Sequence, residues 1–169
     1  MSLSQVPFPL QIRKMTPADL PRVIEIDRAS FSLPWPESSF HYEVEKNDAA
    51  RAWVAETEDA AGNRVIAGMI VGWLIVDEIH IATIASAPEF RRLGIGRKLM
   101  AHLLLEAQKE GATVSFLEVR KGNTAARQLY RELGYQEDGV RPHYYQDNHE
   151  DAILMSLQKI DPDLLNSQG

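Results

Sequence analysis

The feature that most constrains the fold is a run of three strand-like segments followed by an amphipathic helix. Residues 51–56 alternate like a strand, 65–76 are rich in apolar and β-branched residues, and 78–87 place apolar side chains on one face. Such segments in succession predict antiparallel strands. The helix is predicted from apolar residues at helical spacing that end before a capping glycine: Leu99, Met100, Leu103, Leu104, Ala107 and then Gly111. The chain therefore combines a sheet with packed helices.

The remaining segments extend this order of strands and helices. Further strands are predicted at 11–15, 114–119, 135–140 and 151–157, and further helices from Thr16-Pro17 to about residue 30, over 37–46 and from Asn123 to 133. The order β-α-α-β-β-β-α-β-α-β-β predicts an α+β, or mixed α/β, fold. A chain of 169 residues suggests one domain. We expect it to span residues 1–158, followed by a polar, frayed C-terminal tail at 159–169.

Composition excludes several classes of function. The net charge of −6 argues against a nucleic-acid binder, which needs an excess of lysine and arginine for its phosphate contacts. The absence of cysteine excludes disulfides, thiolate metal sites and cysteine nucleophiles. The five histidines have no metal-like spacing, so we expect no metal. The uncharged run 65–76 is too short to span a membrane, and residues 1–14 lack the apolar block of a signal peptide. We expect a cytoplasmic protein with no nucleic-acid or membrane partner.

A basic loop that contains two glycines precedes the amphipathic helix. Gly94 and Gly96 let the backbone approach a ligand closely, and four basic residues surround them: Arg91, Arg92, Arg97 and Lys98. Backbone N–H groups at a helix start form an anion-binding site. The loop therefore predicts a diphosphate ligand, and the alternative is a solvated surface loop. It lacks the third glycine of a dinucleotide fingerprint and the Lys-Ser/Thr of a Walker loop.

The pattern Arg-x-x-Gly-x-Gly at residues 91–96 resembles the acetyl-CoA pyrophosphate loop of the GCN5-related N-acetyltransferases (GNAT). Further motifs are similar to those of the ribosomal-protein-alanine N-acetyltransferases, the RimI type: Phe31-Ser-Leu-Pro-Trp35, Phe116-Leu-Glu-Val-Arg120, Asn123-Thr-Ala-Ala126, Leu129-Tyr-Arg-Glu-Leu-Gly-Tyr135, Arg141-Pro-His-Tyr-Tyr145 and Glu150-Asp-Ala-Ile153. The resemblance covers residues 11–157. It implies a central, mostly antiparallel twisted sheet flanked by about four helices.

The resemblance also implies acetyl-CoA as the acetyl donor. The diphosphate is expected on the glycine loop, which comprises Arg91, Arg92, Leu93, Gly94, Ile95, Gly96, Arg97 and Lys98. Backbone groups of Ile84, Ala85 and Ser86 are expected to hold the pantetheine arm, although the family usually has an aliphatic residue in place of Ser86. Asn123 is predicted as the N-cap of its helix, and the resemblance implies that it also contacts the cofactor.

Two residues are implied to carry the proton transfers. Glu118 lies in an apolar strand, where an ionised carboxylate needs a partner. It is either a structural residue paired with an arginine or, as the resemblance implies, the general base for the amine. Tyr130 is either a core aromatic residue or, as the resemblance implies, the acid that protonates the leaving thiolate.

The predicted acceptor is the N-terminal amine of a protein. Leu33, Trp35, Tyr144 and Tyr145 could wall a narrow slot for a peptide, and the alternative for Trp35 is a seal at the core edge. The resemblance implies a small-subunit ribosomal protein with an N-terminal alanine. The alternatives are an acetyltransferase of small amines or lysine, and a CoA-binding module without catalysis. We expect a monomer or a weak dimer.

Overall fold

The computed structural model describes residues 9–167, and within that range seven strands form one sheet in the order β1-β2-β3-β4-β5-β7-β6. The strands are β1 (Gln11–Lys14), β2 (Ala50–Glu58), β3 (Arg64–Ile75), β4 (Glu78–Ser86), β5 (Val114–Arg120), β6 (Gln136–Arg141) and β7 (Ala152–Leu157). Each neighbouring pair is antiparallel except β4 and β5, which are parallel. The predicted mixed α/β fold with a mostly antiparallel sheet is confirmed.

The helices of the described residues are α1 (Leu20–Ser30), α2 (Glu37–Glu45), α3 (Ile95–Lys109), α4 (Thr124–Glu132) and α5 (Pro162–Asn166). Short 3-10 turns, Pro17–Asp19 and Pro88–Phe90, precede α1 and the glycine loop. The first four helices lie where their apolar periodicity predicts them. Helix α4 begins as expected, because the Asn123 side chain accepts a hydrogen bond from the Ala126 backbone N–H at 3.2 Å.

The prediction of a polar, frayed tail at 159–169 is wrong for residues 160–166. Ile160 and Leu165 are buried in the common core, and Pro162–Asn166 form helix α5. The Asp161 side chain caps this helix, and Gln108 on α3 donates a hydrogen bond to the Ile160 carbonyl at 3.0 Å. The polar composition of the segment led to the prediction of a frayed tail. Two short-range signals favour a helix instead, the Asp161-Pro162 helix start and the adjacent leucines 164 and 165. Residues 1–8, 168 and 169 lie outside the described part of the chain.

Helix α3 packs closely against β3 because two glycines make room for it. A methyl group on Gly68 would lie 2.9 Å from Ile95 Cγ2 and 3.1 Å from both the Ala85 carbonyl oxygen and Leu99 Cδ1. A methyl group on Gly72 would lie 2.9 Å from Leu103 Cδ2. The helix that follows the glycine loop is therefore held at a short distance from the centre of the sheet, and this contact sets the position of its N-terminus.

The parallel pair of β4 and β5 opens soon after it forms. Register pairs join Glu78–His80 to Val114–Phe116, and no further pairs follow along these two described strands. On its other edge β4 pairs with β3, with Thr83 opposite Val71 and Ile81 opposite Gly72. The residue between them, Ala82, is therefore a bulge, and a bulge bends its strand and increases its twist. The strands diverge from this point, and a cleft opens between them.

We expect Gly68→Ala to lower the free energy of unfolding by about 1–3 kcal/mol, because the added methyl overpacks a site with backbone on one side. Urea denaturation of purified protein measures it. Gly139→Ala on β6 is the matched control, since its methyl would meet only Leu154 Cδ1 at an ordinary 3.9 Å. Equal stabilities of the two variants would contradict the close packing of α3 on β3.

Candidate active site

Two adjoining clefts lie at the opening between β4 and β5. The first has a volume of about 600 Å³ and is bounded by α1, the α1–α2 loop, β4, β5 and α4. The second, of about 740 Å³, extends towards β6 and β7. Both clefts are lined by the same six residues at the opening: Trp35, Ile81, Ala82, Leu117, Glu118 and Tyr145. Two ligands that enter from opposite sides could therefore meet at this opening.

Glu118 lies where the two clefts meet. It shares a face of β5 with Phe116 and Arg120, while Leu117 and Val119 point into the core. The Glu118 side chain is 32% exposed and pairs with Arg141, whose Nη1 lies 3.3 Å from Glu118 Oε1. The two expectations for Glu118 are thus compatible, because the carboxylate has an arginine partner and also faces the clefts. An exposed carboxylate with one long ion-pair contact can exchange that partner for an incoming cation.

Tyr130 is buried, in contrast to the partly exposed Glu118. Its ring is buried, with 7% of the residue exposed, yet it lines the first cleft. Burial raises the pKa of its phenol to about 12. The hydroxyl therefore keeps its proton at neutral pH, and among residues 9–167 it forms no hydrogen bond. Tyr130 is therefore a core aromatic residue that also borders the first cleft.

The glycine loop lies beside the first cleft without lining it: none of residues 91–98 is a lining residue, but Arg91 bonds to Ser30, which is one. Gly94 has a φ of +83°, which favours glycine, and α3 begins at the next residue. Lys98 is the first residue whose backbone N–H bonds back to the Gly94 carbonyl, at 3.2 Å, so the N–H groups of residues 95–97 have no acceptor within the helix. A methyl group on Gly96 would meet Leu129 and Ile84 at 3.8 and 4.0 Å, both ordinary contacts. Packing within the protein would thus admit a methyl group at Gly96, so the protein's own contacts do not require a glycine there.

The basic side chains of this loop have different surroundings. Arg91 donates hydrogen bonds to the Ala29 carbonyl at 3.3 Å and to Ser30 Oγ at 3.1 Å, which ties the loop to the end of α1. Arg97 pairs with Glu132 on α4. Arg92 is exposed and has a φ of +65°, and Leu93 packs partly against the core. The loop is therefore braced by α1 and α4.

Of the β4 residues predicted to contact the donor, the structure brings Ile84 to the first cleft, beside Asn123 of the α4 N-cap. Ala85 and Ser86 lie further along the strand, opposite Met69 and Gly68 of β3, and do not line that cleft. Any contact they make must use the strand edge that faces away from β3. Asn123 lines the cleft while capping α4, so its two predicted roles are compatible.

The four residues predicted to form an acceptor slot all lie in the two clefts. Leu33 lines the first, Tyr144 the second, and Trp35 and Tyr145 line both. The centroid of the Trp35 ring also lies 5.1 Å from that of the buried Phe40 ring. Trp35 therefore covers part of the core edge as well as forming a cleft wall. The neighbouring Glu118 carboxylate raises the pKa of the Tyr144 phenol, because it favours the protonated hydroxyl.

Sequence reasoning missed Asp27 as a residue of the site. Its position on the apolar stripe of α1 was a signal, because a carboxylate there must be buried. Asp27 is 1% exposed, and its Oδ2 accepts the Trp35 backbone N–H at 2.8 Å. Its Oδ1 is buried without a hydrogen-bond partner in the described structure, and the residue lines the first cleft. Burial raises the pKa of Asp27, although the bond from Trp35 lowers it.

Two further features concern the described residues as a whole. Between residues 9 and 167, no three histidine, aspartate or glutamate side chains are grouped so that they could hold a metal ion. In the same part of the chain, every helix is too short or too polar to cross a membrane.

Comparison with known proteins gives a consistent result. The sequence model of the acetyltransferase (GNAT) family matches residues 20–135. A Bacillus subtilis protein is 35% identical over 144 residues, which cover 85% of this chain and 92% of that protein. The [ribosomal protein bS18]-alanine N-acetyltransferase of Escherichia coli K12 is 34% identical over 148 residues, which cover 86% of this chain and 95% of the relative.

Solved structures show the same relationship. The crystal structure of the ribosomal-protein-S18-alanine N-acetyltransferase from Escherichia coli superposes with a TM-score of 0.79 at 31% identity, covering 90% of this chain and 95% of that one. A complex of Arabidopsis thaliana NAA60 with a bisubstrate analogue has a TM-score of 0.78 at 19% identity, covering 88% of this chain and 97% of that one. At that identity the second likeness shows the fold alone.

The raised pKa of Asp27 predicts how stability depends on pH. A carboxyl that titrates higher in the folded state than in the unfolded state loses stabilising effect as the pH rises through the folded pKa. Asp27→Asn removes this loss, so its stability relative to the wild type should increase as the pH rises from about 4. Urea denaturation at a series of pH values measures the difference.

Asp59→Asn is the matched control, with the opposite sign. Hydrogen bonds from backbone N–H groups, that of Asn63 first, lower the pKa of Asp59, so its carboxylate stabilises the fold above the unfolded pKa. Relative to the wild type, this variant should become less stable as the pH rises towards about 4, and the difference should then level off in the range where Asp27→Asn gains stability. A pH-independent difference for Asp27→Asn would contradict the buried, partly unpaired carboxylate.

Proposed function

The chain belongs to the acetyltransferase (GNAT) family, and from this premise we propose that it transfers the acetyl group of acetyl-CoA directly to the N-terminal α-amine of a protein. The observation that carries the proposal is the position of Glu118 at the junction of the two clefts, with Tyr130 on the wall of the first. A proton acceptor and a proton donor thus lie beside the place where a donor and an acceptor substrate could meet.

The donor is proposed to bind from the side of the glycine loop. The N–H groups at the start of α3 offer partners for a diphosphate, and the helix dipole favours negative charge there. The free edge of β4 beyond His80 offers backbone groups for the pantetheine arm. Acetyl-CoA supplies an activated acyl group, and backbone N–H groups at the strand opening would polarise its carbonyl.

Glu118 and Tyr130 are proposed to move protons in opposite directions. Glu118 accepts a proton from the amine nitrogen, directly or through water, because an ammonium group cannot act as a nucleophile. Tyr130 donates its hydroxyl proton to the sulfur of the leaving thiolate as the carbon–sulfur bond breaks, and the phenol carries that proton at neutral pH. The exposed carboxylate and the buried phenol thus have surroundings that suit their separate roles.

An α-amine suits this site better than a lysine side chain. The α-amino group has a pKa of about 8 and lysine one of about 10.4, so at pH 7 the neutral fraction differs by roughly 250-fold. A single carboxylate base is matched to the more acidic ammonium. The relatives of known name act on the alanine of ribosomal protein bS18, which supports a ribosomal protein with N-terminal alanine as the acceptor.

A panel of acceptor peptides tests the proposal. We expect a peptide with a free N-terminal alanine to be acetylated with a kcat/KM at least about tenfold above that of a matched peptide with a blocked N-terminus and an internal lysine. Release of free CoA thiol gives the rates, and mass spectrometry locates the acetyl group. If the blocked lysine peptide is the better acceptor, the chain is a lysine acetyltransferase instead.

The role of Glu118 is tested by Glu118→Gln, which keeps the shape of the side chain and removes the base. We expect kcat at pH 7 to fall by about 100-fold to 10,000-fold and acetyl-CoA affinity to change little. The residual rate should increase with pH as the amine loses its proton unaided. Glu137→Gln is the control, because that residue pairs with Arg127 and Arg131 outside both clefts. Full activity of Glu118→Gln at pH 7 would place the base elsewhere.

A further inference from the structure

Arg120 lies two residues beyond Glu118 on the same face of β5 and contacts several residues of the loop between β6 and β7. Its Nη1 and Nη2 donate to the two carboxylate oxygens of Asp147, each at 3.0 Å. Its Cζ lies 3.9 Å from the centre of the Tyr145 ring. The Glu150 carboxylate approaches Nη1 at 3.4 Å. Arg120 therefore contacts the middle and the end of the loop between β6 and β7, which comprises residues 142–151.

Asp147 in turn contacts the opposite wall of the site. It accepts a hydrogen bond from the hydroxyl of Ser32, which belongs to the α1–α2 loop. Ser32, Arg120 and Tyr145 all line the first cleft. This hydrogen bond joins the two loops that carry the predicted slot residues, although Ser32 and Asp147 are 115 residues apart in the sequence. We refer to Ser32, Arg120 and Asp147 as the clasp.

The Arg120–Asp147 contact of the clasp is a pair of charge-assisted hydrogen bonds. A fork of two parallel hydrogen bonds between guanidinium and carboxylate adds geometric specificity to charge attraction. Both side chains are largely shielded, with exposed fractions of 25% for Arg120 and 21% for Asp147. This differs from the Arg28–Glu37 pair between α1 and α2, where both side chains are more than half exposed.

The clasp also balances charge beside the base. Asp147 and Glu150 both lie against the guanidinium of Arg120. An ammonium group that approaches Glu118, two residues along the strand, therefore meets a compensated cation rather than an isolated positive charge. The stacking of Arg120 on Tyr145 places one aromatic wall of the slot at a defined distance from that base.

We propose that the clasp determines acceptor specificity by fixing the width of the slot between the α1–α2 loop and the β6–β7 loop. This inference rests on the proposed function. Joined loops hold Trp35 and Tyr145 in fixed relative positions, so the slot admits a chain end and positions its amine at Glu118. Arg120 and Asp147 are positioning residues, because they act through Tyr145 and the two loops.

The test uses Ser32→Ala, Asp147→Asn and their combination in the full chain. We expect Asp147→Asn to raise KM for the N-terminal alanine peptide about tenfold, while kcat falls less than about threefold and KM for acetyl-CoA is unchanged. In the same variant, the ratio of kcat/KM for this peptide to kcat/KM for the blocked lysine peptide should decrease. The KM of the double variant for the peptide should not exceed that of Asp147→Asn alone, because both changes break the same connection between the two loops.

Arg120→Lys and Arg120→Met separate charge from geometry. The lysine variant keeps the charge but not the fork, so its KM should lie between those of the wild type and the methionine variant. Arg28→Ala, which breaks the exposed ion pair on the outer side of the α1–α2 region, is the matched control and should leave both KM values unchanged. Thermal unfolding confirms that each variant is folded.

The possible results separate the inference from its premise. Wild-type KM and wild-type acceptor preference in folded Ser32→Ala and Asp147→Asn would overturn the clasp and leave the proposed function standing. Strictly additive effects of the two changes would also overturn it, since independent residues would then be responsible. A wild-type protein that acetylates only lysine would overturn the proposed function and the inference together.

Discussion

The separation of β4 from β5 is the constraint on which the rest of the site depends. Two parallel strands that stay paired over three residues and then diverge leave two strand edges without a strand partner. Backbone N–H and C=O groups on these edges need hydrogen-bond partners, and a ligand or solvent must provide them. The bulge at Ala82 gives a local cause for the divergence, because it increases the twist of β4 next to the last paired residue.

The opening also creates two environments for ionisable groups within one site. Glu118 lies on the strand face that looks into the clefts, so its carboxylate stays accessible. Tyr130 enters the same region from α4 through the core, and burial raises the pKa of its phenol. These placements suit the proposed roles of proton acceptor and proton donor, since one side chain is partly exposed and the other is buried.

Several loops are then held by a few polar contacts between segments of the chain. Asp27 accepts the backbone N–H of Trp35 and so anchors the α1–α2 loop to α1. Arg91 ties the glycine loop to the end of the same helix. Arg120 and Asp147 connect the β6–β7 loop to β5 and, through Ser32, to the α1–α2 loop. The contacts of Arg91, Arg120 and Asp147 join segments that are distant in sequence, whereas Asp27 and Trp35 belong to neighbouring segments.

Local regularities in the sequence were sufficient for the elements of the fold. Apolar periodicity and capping residues predicted the first four helices and the seven strands, because these signals act between neighbours in the chain. They failed at α5, where a short helix is stabilised chiefly by burying Leu165 and by packing against α3. The glycines and basic residues of the loop before α3 likewise predicted an anion site from local backbone chemistry.

By itself, the sequence determined the order of the elements, the glycine loop and, through its motifs, the choice of Glu118 and Tyr130. Only the tertiary structure decided that Glu118 stands at the junction of two clefts with Arg141 beside it, and that Tyr130 is buried at the wall of one. It also decided the pairing of Arg120 with Asp147 across 27 residues. The physical reason is that hydration, charge pairing and cleft width depend on groups brought together by folding, and spacing along the chain carries no information about those distances.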